Sequence, residues 1–486
     1  MSEPTSFVPG DASTTGGRSP WVGMSVIMLG TLMVVLDTTI VNVALPQIGE
    51  SLGAGRGIEW IVSAYLLAVA TAMPVSGWIS NRYGHKRIYL GALVVFTVAS
   101  LGCALSPSLP ALVGFRVLQG LGGGALMPVG MAIVFSIFPR ERHGRAIGAW
   151  GIVAMAAPAI GPTIGGYLVT SVSWHWLFLV NVPVGIVAVA AGVRLLPVIP
   201  RTARTPFDVI GFVTGSAGLA LLVLGLSEAN GWGWGSPATL GCLLAGAAML
   251  VAFVRNELRT EHPMLELRMF RNPTFSTASG ITFLVVIAQY ARLVFIPLQL
   301  EGLRGYTALE VGLMLAPAGV ATAVAMQVGG RLADRLGPRA PLIVGTSLMA
   351  VGLLALANLG LTTPLWLIAT FLAVQGTGMG LHAAPATVAA MDTLTSDLLG
   401  HGAAVRNLAS QVGGAVSVAL MGAVYAIVTP AGASPEQAQR GYDIVFYAAL
   451  AGMLGALVLA VRLRPVRRAE PAEEVELEPA ALALAD

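Results

Sequence analysis

Charge is what this chain has least of. Only 10% of its 486 residues are Asp, Glu, Lys or Arg, against roughly 25% in soluble domains. A soluble fold of this length is therefore excluded, and a hydrophobic content of 56% points to an all-α polytopic membrane protein. Cysteine is as scarce. Cys103 and Cys242 fall in different apolar runs, which excludes a disulfide scaffold and leaves no Cys/His spacing for a metal site. Lysine is reduced to Lys86, which follows His85. A phosphate-cradling loop needs Gly-Lys at its end, so any pumping by this chain draws on an ion gradient and not on bound nucleotide. Acids and histidines do not cluster inside the apolar runs as a membrane-embedded enzyme would need, so no catalytic role is expected. The net charge of +3 is no nucleic-acid signal either, because the basic residues sit in short loops and the stretch after Ala469 carries six acids and no base.

Apolar sequence is what is abundant. Runs of spanning length, about 20 residues, predict fourteen transmembrane helices at 22–44, 58–79, 88–106, 109–136, 146–170, 175–193, 209–227, 238–254, 273–297, 308–329, 340–359, 364–390, 402–427 and 442–461. Of the 27 Lys and Arg, 21 fall in loops on the side of the N-terminus. Arg56, Arg304 and Arg440 fall opposite, and Arg116, Arg292 and Arg406 lie within spans. By the positive-inside rule both termini are cytoplasmic. The expected organisation is a polar, disordered lead (1–20), a six-helix half (21–197), two linker helices with their cytoplasmic loops (198–272), a second six-helix half (273–464) and an acidic disordered tail (465–486).

One residue violates the apolar pattern outright. Asp37 stands in WVGMSVIMLGTLMVVLDTTIVNVAL (21–45), where a carboxylate costs on the order of 2.5–3.5 kcal/mol on insertion scales. Arg116 lies about seven residues from the outer end of its run, as Asp37 does from its own, so both are expected roughly 10 Å below the surface at ~1.5 Å per residue. Equal depth permits an ion pair that either carries protons or merely clamps two helices.

The chain also repeats itself. GWISNRYGHKR (77–87) matches GRLADRLGPR (330–339), pairing Gly77 with Gly330, Arg82 with Arg335 and Gly84 with Gly337. FRVLQGLGGGALMP (115–128) matches FLAVQGTGMGLHAAP (371–385), pairing Gln119 with Gln375. The first six and last six spans thus form two copies of one unit around two inserted helices. Such parallel repeats are one transporter architecture, with the site at the repeat interface.

At this point the chain resembles the major facilitator superfamily, and within it the fourteen-helix drug:proton antiporter family. LDTTIVNVALP (36–46) is similar to that family's first-helix motif and GWISNRYGHKR to the loop signature between helices 2 and 3. RVLQGLGGG (116–124) is similar to the helix-4 motif, GIVAMAAPAIGPTIGG (151–166) to the antiporter motif of helix 5, and WHWLFLVNVP (174–183) to the entry of helix 6. The resemblance implies proton-coupled export of small amphipathic compounds by alternating access, with no cofactor beyond the proton gradient. Asp37 would be the proton carrier and Arg116 its modulator. The expected partners are protons, a small-molecule substrate and the lipid bilayer of the plasma or inner membrane. No sequence signature identifies an envelope adaptor. A symporter or uniporter for a nutrient or metabolite shares the architecture.

The resemblance also assigns conformational roles to Gly77, Asn81, Arg82, Gly84, Lys86 and Arg87, to Asp334 and Arg335 in the second copy, and to Gly151, Gly161, Pro162, Gly165 and Gly166 on helix 5, where close packing across the halves is implied. The family loop usually carries an acid where this chain has Asn81, an acid thought to lock the loop against a helix end. Asn42, Gln119, Gln289 and Gln411 either line a cavity or bond helix to helix. Arg292, about five residues from the end of its run, either snorkels or meets substrate. His382 belongs to the residue type that titrates near neutral pH, or is an interhelical partner. Because Asp37 is the one deep acid, proton and any cation would compete for it, so the expected substrate is monocationic, neutral or zwitterionic and not a dication.

Overall fold

The computed structural model describes residues 19–53, 57–58, 60–199, 206–228, 232–233, 235–306, 308–395, 398–430 and 432–463. The acidic tail and all but the end of the polar lead lie outside the described residues, as do the side chains of Asn42 and Pro162. Every regular element among the described residues is helical. With no water in a bilayer core to satisfy amides, an apolar chain must close its hydrogen bonds within each segment, which a helix does.

The first half comprises α1 (Pro20–Ser51), α2 (Trp60–Tyr83), α3 (His85–Ala104), α4 (Leu109–Ile137), α5 (His143–Ser171), and α6 (His175–Leu179) running into α7 (Asn181–Leu195). Two linker helices follow, α8 (Val209–Ser227) and α9 (Pro237–Arg259). The second half comprises α10 (Pro273–Arg304), α11 (Ala308–Leu336), α12 (Arg339–Leu356), α13 (Leu365–Met391), α14 (Leu399–Val428) and α15 (Pro435–Arg462). Twelve stretches of the described residues are long and apolar enough to cross a membrane, α6 and α7 counting together as His175–Leu195. The expected spans 146–170 and 209–227 coincide with α5 and α8. The middle of α5 runs through side chains outside the described set, and α8 supplies only a shorter apolar helix, Val209–Gly225.

Helix starts follow local chemistry. Proline opens α1, α9, α10 and α15, where its missing N–H is no loss. Asn272 caps α10 by accepting from the Thr274 and Phe275 N–H groups at 2.9 and 3.3 Å. Several helices run past the expected spans: α1 continues from 44 to Ser51, α11 from 329 to Leu336, and α10 from 297 to Arg304, stopping on Gly305 with φ +68°. Neighbouring helices re-satisfy backbone groups freed by proline inside a bundle, so α10 passes Pro297 without breaking.

The internal repeat is present in three dimensions. A Cβ on Gly120 of α4 would lie 2.5 Å from the Tyr65 carbonyl of α2, and one on its repeat mate Gly376 would collide with the Ala318 carbonyl of α11. The helix-4 glycines therefore exist for close crossing. Gly84 (φ +97°) and Gly337 (φ +80°) hold matching left-handed turns that only glycine adopts freely. Lys86 donates to the Val193 and Leu196 carbonyls at 2.8 and 2.5 Å, capping α7, and its mate Arg339 donates to Val461 at 2.6 Å, capping α15. The linker pair packs on α2 from outside the repeat, with Ser216 bonded to the Thr71 carbonyl at 2.9 Å and Trp78 to the Pro206 carbonyl at 3.2 Å.

The halves meet at the end that bears the arginine-rich loops. Asp334 at the end of α11 accepts from the Gly144 and Arg145 N–H groups at the start of α5, 2.8 and 2.9 Å. His143 and Asp392 pair at 2.5 Å. A Cβ on Gly77 would lie 3.1 Å from the Gly400 carbonyl, while Gly144 and Gly330 would each drive a Cβ into the other's carbonyl. Gly144→Ala is therefore expected to destabilise this packing by about 1–3 kcal/mol. Thermal unfolding in detergent checks it, and a wild-type melting point would show that the crossing is not held this closely.

Candidate functional site

Asp37 and Arg116 meet in the interior of the first half. Arg116 Nη1 donates to Asp37 Oδ2 at 2.5 Å, with the two residues 1% and 0% exposed. Gln119, one turn along the same face of α4, donates from Nε2 to Asp37 Oδ1 at 2.8 Å and accepts from Arg116 Nη1 at 2.7 Å. Asn181 at the start of α7 donates to the same Oδ1 at 3.3 Å. The second ring of contacts fixes the first: Gln119 Nε2 also donates to Ser100 Oγ of α3 at 2.8 Å, and Arg116 Nε donates to the Ile61 carbonyl of α2 at 2.9 Å. The guanidinium carbon sits 4.1 Å above the Tyr65 ring and 5.8 Å from Phe178, a cation–π arrangement that strengthens on desolvation.

Every member of this cluster needs another to remain buried. An unpaired charge in a low dielectric is strongly penalised, whereas a hydrogen-bonded pair is tolerated. Helices α1, α2, α3, α4 and α7 all contribute, so the burial of one carboxylate is tied to the packing of the half. Asp37 lies fourteen residues before the end of α1 at Ser51, since the helix runs seven residues beyond the expected 44. The ion pair nonetheless forms, because the extra turns of α1 lie beyond it.

The remaining sequence candidates are placed less uniformly. Gln119 belongs to the Asp37 cluster and is buried, so it does not line an open cavity. His382 is 2% exposed, with Nδ1 3.4 Å from Thr346 Oγ1, an interhelical arrangement between α12 and α13. Gln289, Arg292 and Gln411 are half-buried. Arg406 donates to Thr282 Oγ1 at 3.3 Å. Along the helix-5 motif, Gly151 abuts Met326 of α11 across the halves, but Gly161 and Gly165 pack against Thr39 and Ile40 of α1 within the half, and the space beside Gly166 would admit a Cβ. Close packing across the halves thus holds for Gly151 alone of these four, because only the early turns of α5 reach α11. Arg82 lies over the Trp78 ring at 5.4 Å, Arg87 is exposed, and Arg335 ends α11. Asn81 faces Gly400 of α14, where a Cβ would lie 3.0 Å from its Oδ1. That is the repeat counterpart of Asp334 at α5, with a neutral amide in place of the charge.

Asn181, Ser100 and Tyr65 were not singled out from sequence. Asn181 carried a usable signal, a polar residue inside the apolar WHWLFLVNVP stretch, while Ser100 and Tyr65 are ordinary in spans. No group of His, Cys, Asp and Glu suited to a metal ion occurs among the described residues.

A two-fold repeated helical bundle with a charged pair buried in one half defines a membrane transporter, not an enzyme. The family model described as Major Facilitator Superfamily matches residues 27–418 and also 278–486. The chain belongs to the Major Facilitator Superfamily. It is 35% identical over 431 residues to the tetracenomycin C resistance and export protein of Streptomyces glaucescens, covering 87% of this chain and 79% of that protein. It is 33% identical over 401 residues to a multidrug resistance protein B homolog of Mycobacterium tuberculosis, covering 82% and 74%. Among solved structures, the human organic anion transporter MFSD10 superposes with a TM-score of 0.65 at 15% identity, over 91% of this chain and all of that one. The proton:xylose symporter XylE superposes with 0.61 at 14% identity, over 90% and 95%. At these identities the two structures establish the fold alone.

Proposed function

We propose that the chain is a proton-coupled exporter of small amphipathic compounds, drugs or antibiotics among them, working by alternating access in the cell membrane. In this reading it has fourteen spans and both termini in the cytoplasm. The observation that carries the reading is the fully buried Asp37, whose two oxygens are engaged by Arg116, Gln119 and Asn181. A carboxylate enclosed in this way exchanges its proton only when the helices around it move. Arg116 pairs with it while the cluster is closed, and rocking of α1 against α4 parts the two and opens the carboxylate to proton exchange. The cross-half contacts at the arginine-rich end, Asp334 on α5 and His143 with Asp392, are the ones a cytoplasmic opening would break. The printed names of relatives at 33–35% identity support export over uptake.

A symporter or uniporter for a metabolite is the second reading, and the shared fold of a sugar symporter keeps it in view. Direction separates the two. Everted vesicles with an acid lumen should accumulate a transported dye, and a protonophore should release it. Accumulation confined to right-side-out vesicles with acid outside would establish symport instead.

A further inference from the structure

The second half alters the polar site of the first, with a base at the acid's position and leucine at the base's. Matched positions are 253 residues apart for Gly77 and Gly330 and 256 apart for Gln119 and Gln375, which carries Asp37 onto 290–293 of α10. Arg292 stands there. α1 and α10 are each 32 residues long, and Asp37 and Arg292 are the eighteenth and twentieth residues of their helices. The mate of Arg116 is Leu372, fully buried in α13, so Arg292 has no counter-ion from that position. The mate of Gln119 is Gln375, 2% exposed, with neither amide atom holding a hydrogen-bond partner among the described residues. One half supplies acid, base and amide, all satisfied; the other supplies base and amide, both unsatisfied.

Arg292 also points inward. It falls on the helical stripe of Val285, Ala288, Phe295, Ile296 and Gln299, all buried, while Leu293 and Leu298 are exposed. Its residual accessibility therefore opens into the bundle and not onto lipid. It makes no ion pair or hydrogen bond among the described residues. The helix runs twelve residues past it to Arg304.

We propose that the exported compound carries an anionic group, a carboxylate or an acidic phenol on an apolar body, which binds Arg292 from inside the bundle and supplies the counter-charge that the Leu372 position lacks. Gln375 supplies the supporting amide, as Gln119 does for Asp37. A guanidinium suits this role because its fork matches a carboxylate with two parallel hydrogen bonds. A cationic substrate is disfavoured twice: Arg292 repels it, and both oxygens of Asp37 are already engaged. The inference deepens the exporter reading and rests on it for the direction of transport.

Equilibrium binding tests it without any gradient, so a failure here is distinguishable from a failure of proton coupling. Full-length protein in nanodiscs would be titrated with 1-naphthylacetate, 1-naphthylacetamide and 2-(1-naphthyl)ethylammonium, one apolar body with three charges. The acid should bind about tenfold more tightly than the amide, the gain of a charge-assisted hydrogen bond, and the ammonium most weakly. Arg292→Gln should erase that preference, Arg292→Lys should keep part of it, and Gln375→Leu should weaken it. Leu293→Ala, on the exposed side of the same helix, should leave it unchanged. Equal binding of acid and amide by the wild type, or a preference that survives Arg292→Gln in protein that melts normally, would overturn the proposal.

Discussion

Asp37→Asn in sealed proteoliposomes is expected to abolish gradient-driven accumulation of substrate while leaving substrate exchange across the same membrane intact. The substitution is nearly isosteric, and it replaces the oxygen that accepts from Gln119 and Asn181 with an amide nitrogen, which Asn181 meets by turning its own carbonyl toward it. The Asn carbonyl still accepts from Arg116, and Arg116 retains the Ile61 carbonyl, Gln119 Oε1 and the Tyr65 ring. What is lost is the only carboxylate in the cluster. A pH difference of one unit supports about a tenfold accumulation ratio for each proton exchanged, about 1.4 kcal/mol, and that ratio should fall to one. Exchange of labelled for unlabelled substrate needs rocking but no net proton movement, so it should persist. Loss of both activities together would make Asp37 a structural clamp.

Arg116→Leu should do the opposite kind of damage. It leaves the Asp37 carboxylate at 0% exposure with amide donors but no cation, and breaking a buried pair from one side typically costs about 3–5 kcal/mol. The effect should appear as a marked drop in melting temperature. Asp37→Asn placed on top of Arg116→Leu should recover most of that loss, because no charge is then stranded. Additive losses in the double variant would show that Arg116 acts through packing against Tyr65 and Phe178 and not through the carboxylate. The asymmetry between the two single variants follows from the other contacts: the arginine has a carbonyl, an amide and two rings besides Asp37, the aspartate only two amides.

Much of this site was legible in the sequence because charge is so rare in it. Asp37 and Arg116 stood out against apolar runs, and the repeat at about 255 residues placed them in one half. Gln119 was visible as a polar group in a span, but whether it lined a cavity or served another side chain depends on which helix faces it, which spacing alone does not give. Ser100 and Asn181 were hidden for the same reason, since neutral polar residues in spans are common and acquire meaning only where five helices converge. Several helices run past the apolar stretches that marked them, α10 to Arg304 among them, because helical hydrogen bonding continues where the apolar sequence stops. The cap that Asp334 places on α5 was foreshadowed only by the family resemblance, and its neutral counterpart at Asn81 leaves the two crossings at the arginine-rich end unequally charged.

The most direct measurement of the central claim is proton release on substrate addition to detergent-solubilised, weakly buffered protein, followed with a pH dye. Wild type should release a proton on binding a transported compound, and Asp37→Asn, binding the same compound, should release none. Release of equal size from Asp37→Asn would contradict the account, because the proton would then reside on some other group.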